Sequence, residues 1–358
     1  MLVLQWLEGL RRLGHEVLYY GGVEEQGDAA LFGHTMERWW DGEHTAALLP
    51  SGEAGYGLDA SEVAAFARGA DGIIALGATF AATPDPLVES VRPRVLVDAD
   101  PAFGQVWAAD AERPGDVLGV HDLYYTVGPN IGTARCRVPT LGIEWRPIWN
   151  PVVADWWEPD RPRGRDRFTT VTGLWFGKYQ YFDGSIWGPK AEQLARFRDL
   201  PAAAGEPIEI AVESDSGTAV LGELAQHGWV VESADAVAAT PEAYRDYIAD
   251  SAGEFSVAKG LYVGTRCAWF SDRSACFLAA GRPVVVQDTG IADVLPTGEG
   301  LLPVASVEEA AEAIHEIRSD YPRHSRAARQ IALDHLDTGR VLPRMLSDMG
   351  LDSMRTPG

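Results

Sequence analysis

The sequence predicts an α/β protein built from two doubly wound domains that face each other across a cleft, and three observations carry this expectation. Short apolar runs of strand length alternate with stretches of helical periodicity along most of the chain, the pattern of parallel sheets covered by helices. At 358 residues the chain exceeds one ordinary core, so two domains of roughly 150 to 200 residues each are expected. Between two such α/β series lies Asn150–Arg165, a stretch with prolines and mixed charge and no periodicity, which reads as a connection. The expected organisation is a first domain over 1–150, a linker over 151–166, a second domain over 167–337, and a terminal helix over 338–358 that packs back on the first domain.

The chain opens in a helix, because Leu4, Leu7, Leu10 and Leu13 recur at helical spacing and Gly14 ends the run; Glu16–Tyr20 then reads as a strand. A doubly wound domain ordinarily opens with a strand and a glycine turn, so a central strand upstream of residue 1 is expected. His34 and His44, with Trp39 and Trp40, read as a polar, aromatic loop. Strands are expected at Gly72–Leu76, Arg94–Asp98, Leu123–Val127 and Thr140–Glu144, with a helix at Ser61–Arg68. The second series places strands at Phe168–Leu174, Ile208–Val212, Trp229–Val231, Glu254–Val257, Pro283–Val286 and Leu301–Val304. Helices at Pro189–Asp199, Ala219–His227 and Pro241–Asp250 separate them, and the tail is helical at Val307–Ser319, Arg323–His335 and Arg340–Met349.

Composition narrows the class. Apolar residues make up 46% and charged residues 23%, the proportions of a globular protein. A net charge of -22 argues against a nucleic-acid partner, which needs clustered cations. Cys136, Cys267 and Cys276 have neither disulfide-framework nor zinc spacing, and a reducing cytoplasm is expected. Glu8, Arg11 and Arg12 interrupt the apolar pattern of the first twenty residues, which excludes a signal-peptide core or a membrane span there. The oligomeric state stays open.

The chemistry concentrates between Glu254 and Pro303. Ser271 and Asp272 open a helix with Arg273 and Ser274 in its first turn, Gly281 closes it, and a buried strand follows. Free N–H groups, the positive dipole end, a guanidinium and a hydroxyl converge there, and the guest expected is a diphosphate. Lys178, on a glycine-flanked loop after the first strand of the second domain, and Lys259 and Arg266 before the motif helix, are further phosphate candidates. The only lysines are Lys178, Lys190 and Lys259, so each draws notice. Asp288, Thr289 and Gly290 follow a strand, where an open sheet binds ligands. Glu299 stands between two glycines. Among the twelve tryptophans, Trp175 and Trp269 are the first candidates to stack on a base or sugar.

The run from Phe270 through Phe-Ser-Asp-Arg-Ser, Ala-Ala-Gly-Arg-Pro-Val-Val-Val-Gln-Asp-Thr-Gly and Thr-Gly-Glu-Gly-Leu resembles glycosyltransferases of the GT-B architecture, especially a bacterial family-1-like group. Tyr125–Val138, Trp145–Trp157 and Gly228–Lys259 are similar to the same group. The resemblance implies transfer of a hexosyl group from a nucleoside diphosphate sugar, held by the C-terminal half, to a small-molecule or glycan acceptor held by the N-terminal half. No separate cofactor and no metal are implied. Lys178, Lys259, Arg266, Ser271, Arg273 and Ser274 would hold the diphosphate, and Asp272, Asp288, Thr289, Gly290 and Glu299 the ribose or sugar. Many retaining members carry two glutamates eight positions apart, and counting back from Pro283 those positions are Ala268 and Cys276 here. Asp272 is either a substitute carboxylate or simply a helix-capping acid. The base for the acceptor is expected from the first domain: His121 and Asp122 before a strand, or Asp98 and Asp100 at the end of one. A non-catalytic relative serving as a binding subunit, or an epimerase or pseudo-glycosyltransferase on the same fold, are the alternatives.

Overall fold

The computed structural model describes residues 1–22, 26–49, 51, 53–77, 86–174, 179–213 and 218–351. Helix α1 (Leu2–Arg12) stops at Gly14, whose φ of 92° suits glycine. It leads to β1 (Tyr19–Gly22), α2 (Gln26–Trp39), β2 (Thr45–Leu48), β3 (Ala54–Gly57) and α3 (Ala60–Ala67). A reciprocal capping box between Asp59 and Glu62 starts α3. Next come β4 (Ile73–Leu76), β5 (Arg94–Asp98), α4 (Phe103–Asp110), α5 (Gly115–Leu118), β6 (Leu123–Thr126) and β7 (Trp145–Pro147). Strands β4-β5-β6-β7 form one parallel sheet, while β1, β2 and an antiparallel β3 form another.

Among the described residues β1 and β4 each have one strand neighbour. Both are only half-buried, whereas β2, and β5 from Val95 onward, are buried. The middle strands of a sheet are covered most fully and bury most, and β2 and β5 follow that gradient against their edge neighbours β1 and β4.

Two expectations are corrected in this half. Residues 26–39, with His34 and Trp39, are helix α2 and not a loop, and His44 sits in a 3-10 turn, Gly42–His44. Phe32, Met36 and Trp39 form an apolar stripe that packs with Leu4 and Leu7, a periodicity masked by the glycines in the run. Thr140–Glu144 is a turn, because Leu141 and Gly142 take φ of 58° and 74°, which a strand does not accommodate; the strand is β7.

The second half runs β8 (Phe168–Thr172), hairpin β9 (Gln180–Phe182) and β10 (Ser185–Trp187), α6 (Lys190–Ala195), α7 (Leu200–Ala204), β11 (Glu209–Val212), α8 (Thr218–Gln226), β12 (Val230–Ser233), α9 (Ala234–Ala238) and α10 (Pro241–Asp250). It continues through β13 (Gly253–Ser256), α11 (Gly260–Thr265), α12 (Asp272–Ala279), β14 (Val284–Gln287), β15 (Leu301–Val304), α13 (Val307–Ser319), α14 (Tyr321–Ile331) and α15 (Thr338–Asp348). Its six strands are all parallel in the order β12-β11-β8-β13-β14-β15. Chain direction across the sheet reverses between β8 and β13, and the crevice at their carboxyl ends is the place where such sheets bind ligands. Helix α15 crosses back: Leu342, Met345 and Leu346 pack with Trp6, Leu10, Val95 and Val97. The Tyr125 hydroxyl donates to Asp348, which also pairs with Arg146 at 2.7 Å. The linker is anchored where Val152 N donates to Leu336 O and accepts, through its own carbonyl, from Thr338 N at 2.8 and 2.9 Å.

Candidate functional site

The carboxyl ends of β8 and β13 gather two lysines. Lys190 is the first residue of α6, where a cation opposes the helix dipole. Its Nζ donates to Thr172 Oγ1, at the tip of β8, at 3.1 Å and lies 5.5 Å from the centre of the Trp269 ring. None of the ion pairs among the described residues includes it. Burial, then the charges of Arg273 and Lys259, lower its ammonium from 10.5 to about 7. A cation held in this way is stabilised by any arriving anion. The sequence marked Lys190 as one of three lysines but gave it no site role, because the β9–β10 hairpin separates it from β8; a lysine opening a helix was the signal.

Lys259, just beyond β13, is 5% exposed. Its Nζ donates to both Asp100 oxygens at 2.7 and 2.8 Å and lies over the rings of Phe103 and Tyr262. Arg266 adopts a left-handed φ of 54° and pairs with Asp288 at 3.1 Å and Asp293 at 3.8 Å. Lys178 and Trp175 fall outside the described residues.

Arg273 is buried and turned beneath the strand ends. Its Nε donates to Glu254 at 2.5 Å and its Nη1 to Val171 O at 2.7 Å. Glu254 is fully buried in β13 and needs a counter-charge, which the first turn of α12 supplies. Ser271 caps that helix by accepting from Arg273 N, and Asp272 accepts from the Ser271 hydroxyl. The Ser274 hydroxyl is 1% exposed and has no protein partner. Asp288 accepts from Gly290 N at 2.8 Å, and Thr289 Oγ1 donates to Trp269 O at 2.7 Å. Gly290 has a φ of 91°, and a Cβ there would stand 3.1 Å from Arg266 O. Thus Asp288, Thr289, Gly290, Arg266 and Trp269 share one rim with the two lysines.

Other candidates are placed elsewhere. Glu299 precedes β15, at the amino end of the sheet, and its nearest cation is Arg323 at 3.8 Å. His121 and Asp122 precede β6, again at the amino end; Asp122 accepts from Arg94 N at 2.7 Å, and burial lowers the His121 imidazole to about 4. Neither reaches the crevice, because residues entering a strand and residues leaving it lie at opposite ends. Asp98 and Asp100 are at the correct end. Asp98 is fully buried and accepts from Gln105 at 2.6 Å and Thr126 at 3.1 Å, its carboxyl raised to about 6 by burial. Asn130, which the sequence did not mark, makes a further cross-domain contact: its Nδ2 donates to Arg266 O at 3.0 Å and Asp293 at 3.1 Å. His34 lines a cavity of about 180 Å³ between α2 and the start of α10, beside Trp39 and Glu242. Ala268, with a φ of 64°, and Cys276, which accepts from Gln5 Nε2 at 3.5 Å, occupy the two positions where a glutamate pair was sought.

Two doubly wound halves whose strand ends meet in this way define the GT-B glycosyltransferase fold, and solved structures of that fold match the chain. HepE from Anabaena, crystallised with UDP, aligns with a TM-score of 0.57 and 12% identity over 94% of this chain and 100% of its own. AviGT4, a glycosyltransferase involved in avilamycin A biosynthesis, aligns at 0.55 and 12% identity over 98% and 88%. Sucrose-phosphate synthase from Thermosynechococcus elongatus aligns at 0.52 and 11% identity over 93% and 94%. No protein-family model and no curated protein matches the chain.

Proposed function

We propose that the protein is a glycosyltransferase that moves a hexosyl group from a nucleoside diphosphate sugar to a small-molecule or glycan acceptor. The observation that carries this reading is the convergence of Lys190 and Lys259 on the switch point of the second sheet, the place where a diphosphate fits such a fold. The fold likeness supports it, since HepE was crystallised with UDP-glucose as well as UDP. Transfer leaves charge on the departing diphosphate, and cations fixed beforehand in a poorly solvated crevice stabilise that charge without reorganising. Lys190 gains most, because its proton is held weakly until an anion arrives. Lys178 and the N–H groups opening α12 are proposed as further donors, with Asp288, Thr289 and Gly290 toward the sugar. Asp100 is the carboxylate nearest to the role of acceptor base, and Asp272 to that of a ribose ligand. The proposed transfer uses no metal, which the EDTA arm of the test below checks.

The test is incubation with UDP-, GDP-, dTDP- and ADP-linked hexoses and a panel of sugar and aminosugar acceptors, with release of nucleotide and mass analysis of products. Nucleotide release that depends on an acceptor and persists in EDTA is expected. An isomerised sugar nucleotide with no transfer indicates an epimerase. Binding without any turnover favours the auxiliary-subunit reading, which the Ala268 and Cys276 positions support.

A further inference from the structure

We infer that Asp100 is an internal counter-anion of the donor site, a carboxylate from the first domain that occupies Lys259 until a diphosphate displaces it. The inference rests on the proposed reading of Lys259 as a diphosphate ligand. The two residues belong to different domains: Asp100 follows β5 and Lys259 follows β13, so their bidentate contact at 2.7 and 2.8 Å spans the crevice. The two ends of the pair differ. Lys259 has only 7% of its side chain exposed and is enclosed by Phe103 at 4.6 Å and Tyr262 at 5.6 Å, whereas 42% of the Asp100 side chain reaches solvent. A buried ammonium is costly to leave without an anion, while an exposed carboxylate is readily rehydrated. The partner that leaves is therefore Asp100, and a diphosphate, with more charge and more acceptor oxygens, is the anion suited to replace it.

The same seam carries contacts that do not compete with a phosphate. Asn130 donates to Arg266 O, its N–H donates to Cys267 O at 3.2 Å, and Trp107 donates to Gln180 at 2.6 Å. Displacing Asp100 thus frees one ion pair of the interdomain seam while leaving its polar clasp, so donor binding and the freedom of the first domain become linked through a single carboxylate.

Calorimetric titration with UDP on the wild type, Asp100→Asn, Lys259→Ala and the double variant tests this. The expected pattern is that Asp100→Asn binds UDP about tenfold tighter, as for loss of a competing charge-assisted contact, that Lys259→Ala binds more weakly, and that adding Asp100→Asn to Lys259→Ala gives no gain. Asp100→Glu should restore wild-type affinity. A tightening of equal size in the Lys259→Ala background means simple long-range repulsion and overturns the inference, as does unchanged or weaker binding in Asp100→Asn. UDP binding that ignores Lys259→Ala overturns the counter-anion alone; no UDP binding by any variant overturns the donor-site reading and the counter-anion with it.

Discussion

Arg273 and Glu254 are both out of water, and a guanidinium–carboxylate pair in that position holds only while both partners are present. Arg273→Met should therefore lower unfolding free energy by about 3 to 5 kcal/mol, the range for stranding a buried charge, measured by urea denaturation. Lys190 behaves differently. Its folded value of about 7 lies below the unfolded 10.5, so between these pH values the unfolded chain holds the extra proton and stability rises with pH on this group's account, the full cost applying below pH 7. An arriving diphosphate reverses the shift, so UDP binding at pH 8 should take up a proton, read from titrations in buffers of different ionisation heat, and Lys190→Met should abolish the uptake. Residue types were legible in the sequence where spacing placed them on the correct strand end, as with Lys259, Arg266 and Asp288. They were not where the end depended on topology: His121 and Glu299 stand beside strands, but beside their entrances. Arg273 was identified as important, yet its partner, Glu254, emerges only when β13 and α12 pack together.

At the scale of elements, caps and breakers were the reliable signals. Ser271 opens α12 and Gly281 ends it, and the residues of β5, α10, β15 and α13 follow their periodicity to the residue. Elements with weak periodicity escaped. Helix α2 hides behind two glycines, and hairpin β9–β10 is too short to show alternation, although it brings Lys190 to Thr172. Contacts between elements give sharp predictions. Gly300 has a φ of 74°, and a Cβ there would stand 2.3 Å from the backbone nitrogen of Ala328 on α14. Gly300→Ala should thus cost more than about 1 kcal/mol, beyond the left-handed penalty alone, seen as a lower midpoint in thermal unfolding. Leu342 of α15 is fully buried among Trp6, Val95 and Met345. Its truncation to Ala should cost about 2 to 5 kcal/mol, and should loosen the hold of the C-terminal helix on the first domain, visible as faster hydrogen exchange in α15.

At the scale of the molecule, alternating strands and helices with a central linker were enough to anticipate two doubly wound halves, and the six-stranded order around β8 and β13 fixes the crevice between them. The division of the first domain's strands into two sheets was not visible strand by strand, because pairing partners are set by tertiary contacts. An overall charge of -22 surrounds a crevice whose lysines are the local exception, so added salt should weaken the general repulsion of a nucleotide more than the buried contacts. No helix among the described residues is long and apolar enough to cross a membrane. The central claim is that this crevice holds a nucleoside diphosphate, and a crystal structure with UDP tests it most directly. The account predicts diphosphate density between Lys190 and Lys259, beside the start of α12, with Asp100 displaced. Density at another surface, or an intact Lys259–Asp100 pair with UDP bound away from Lys190, would contradict it.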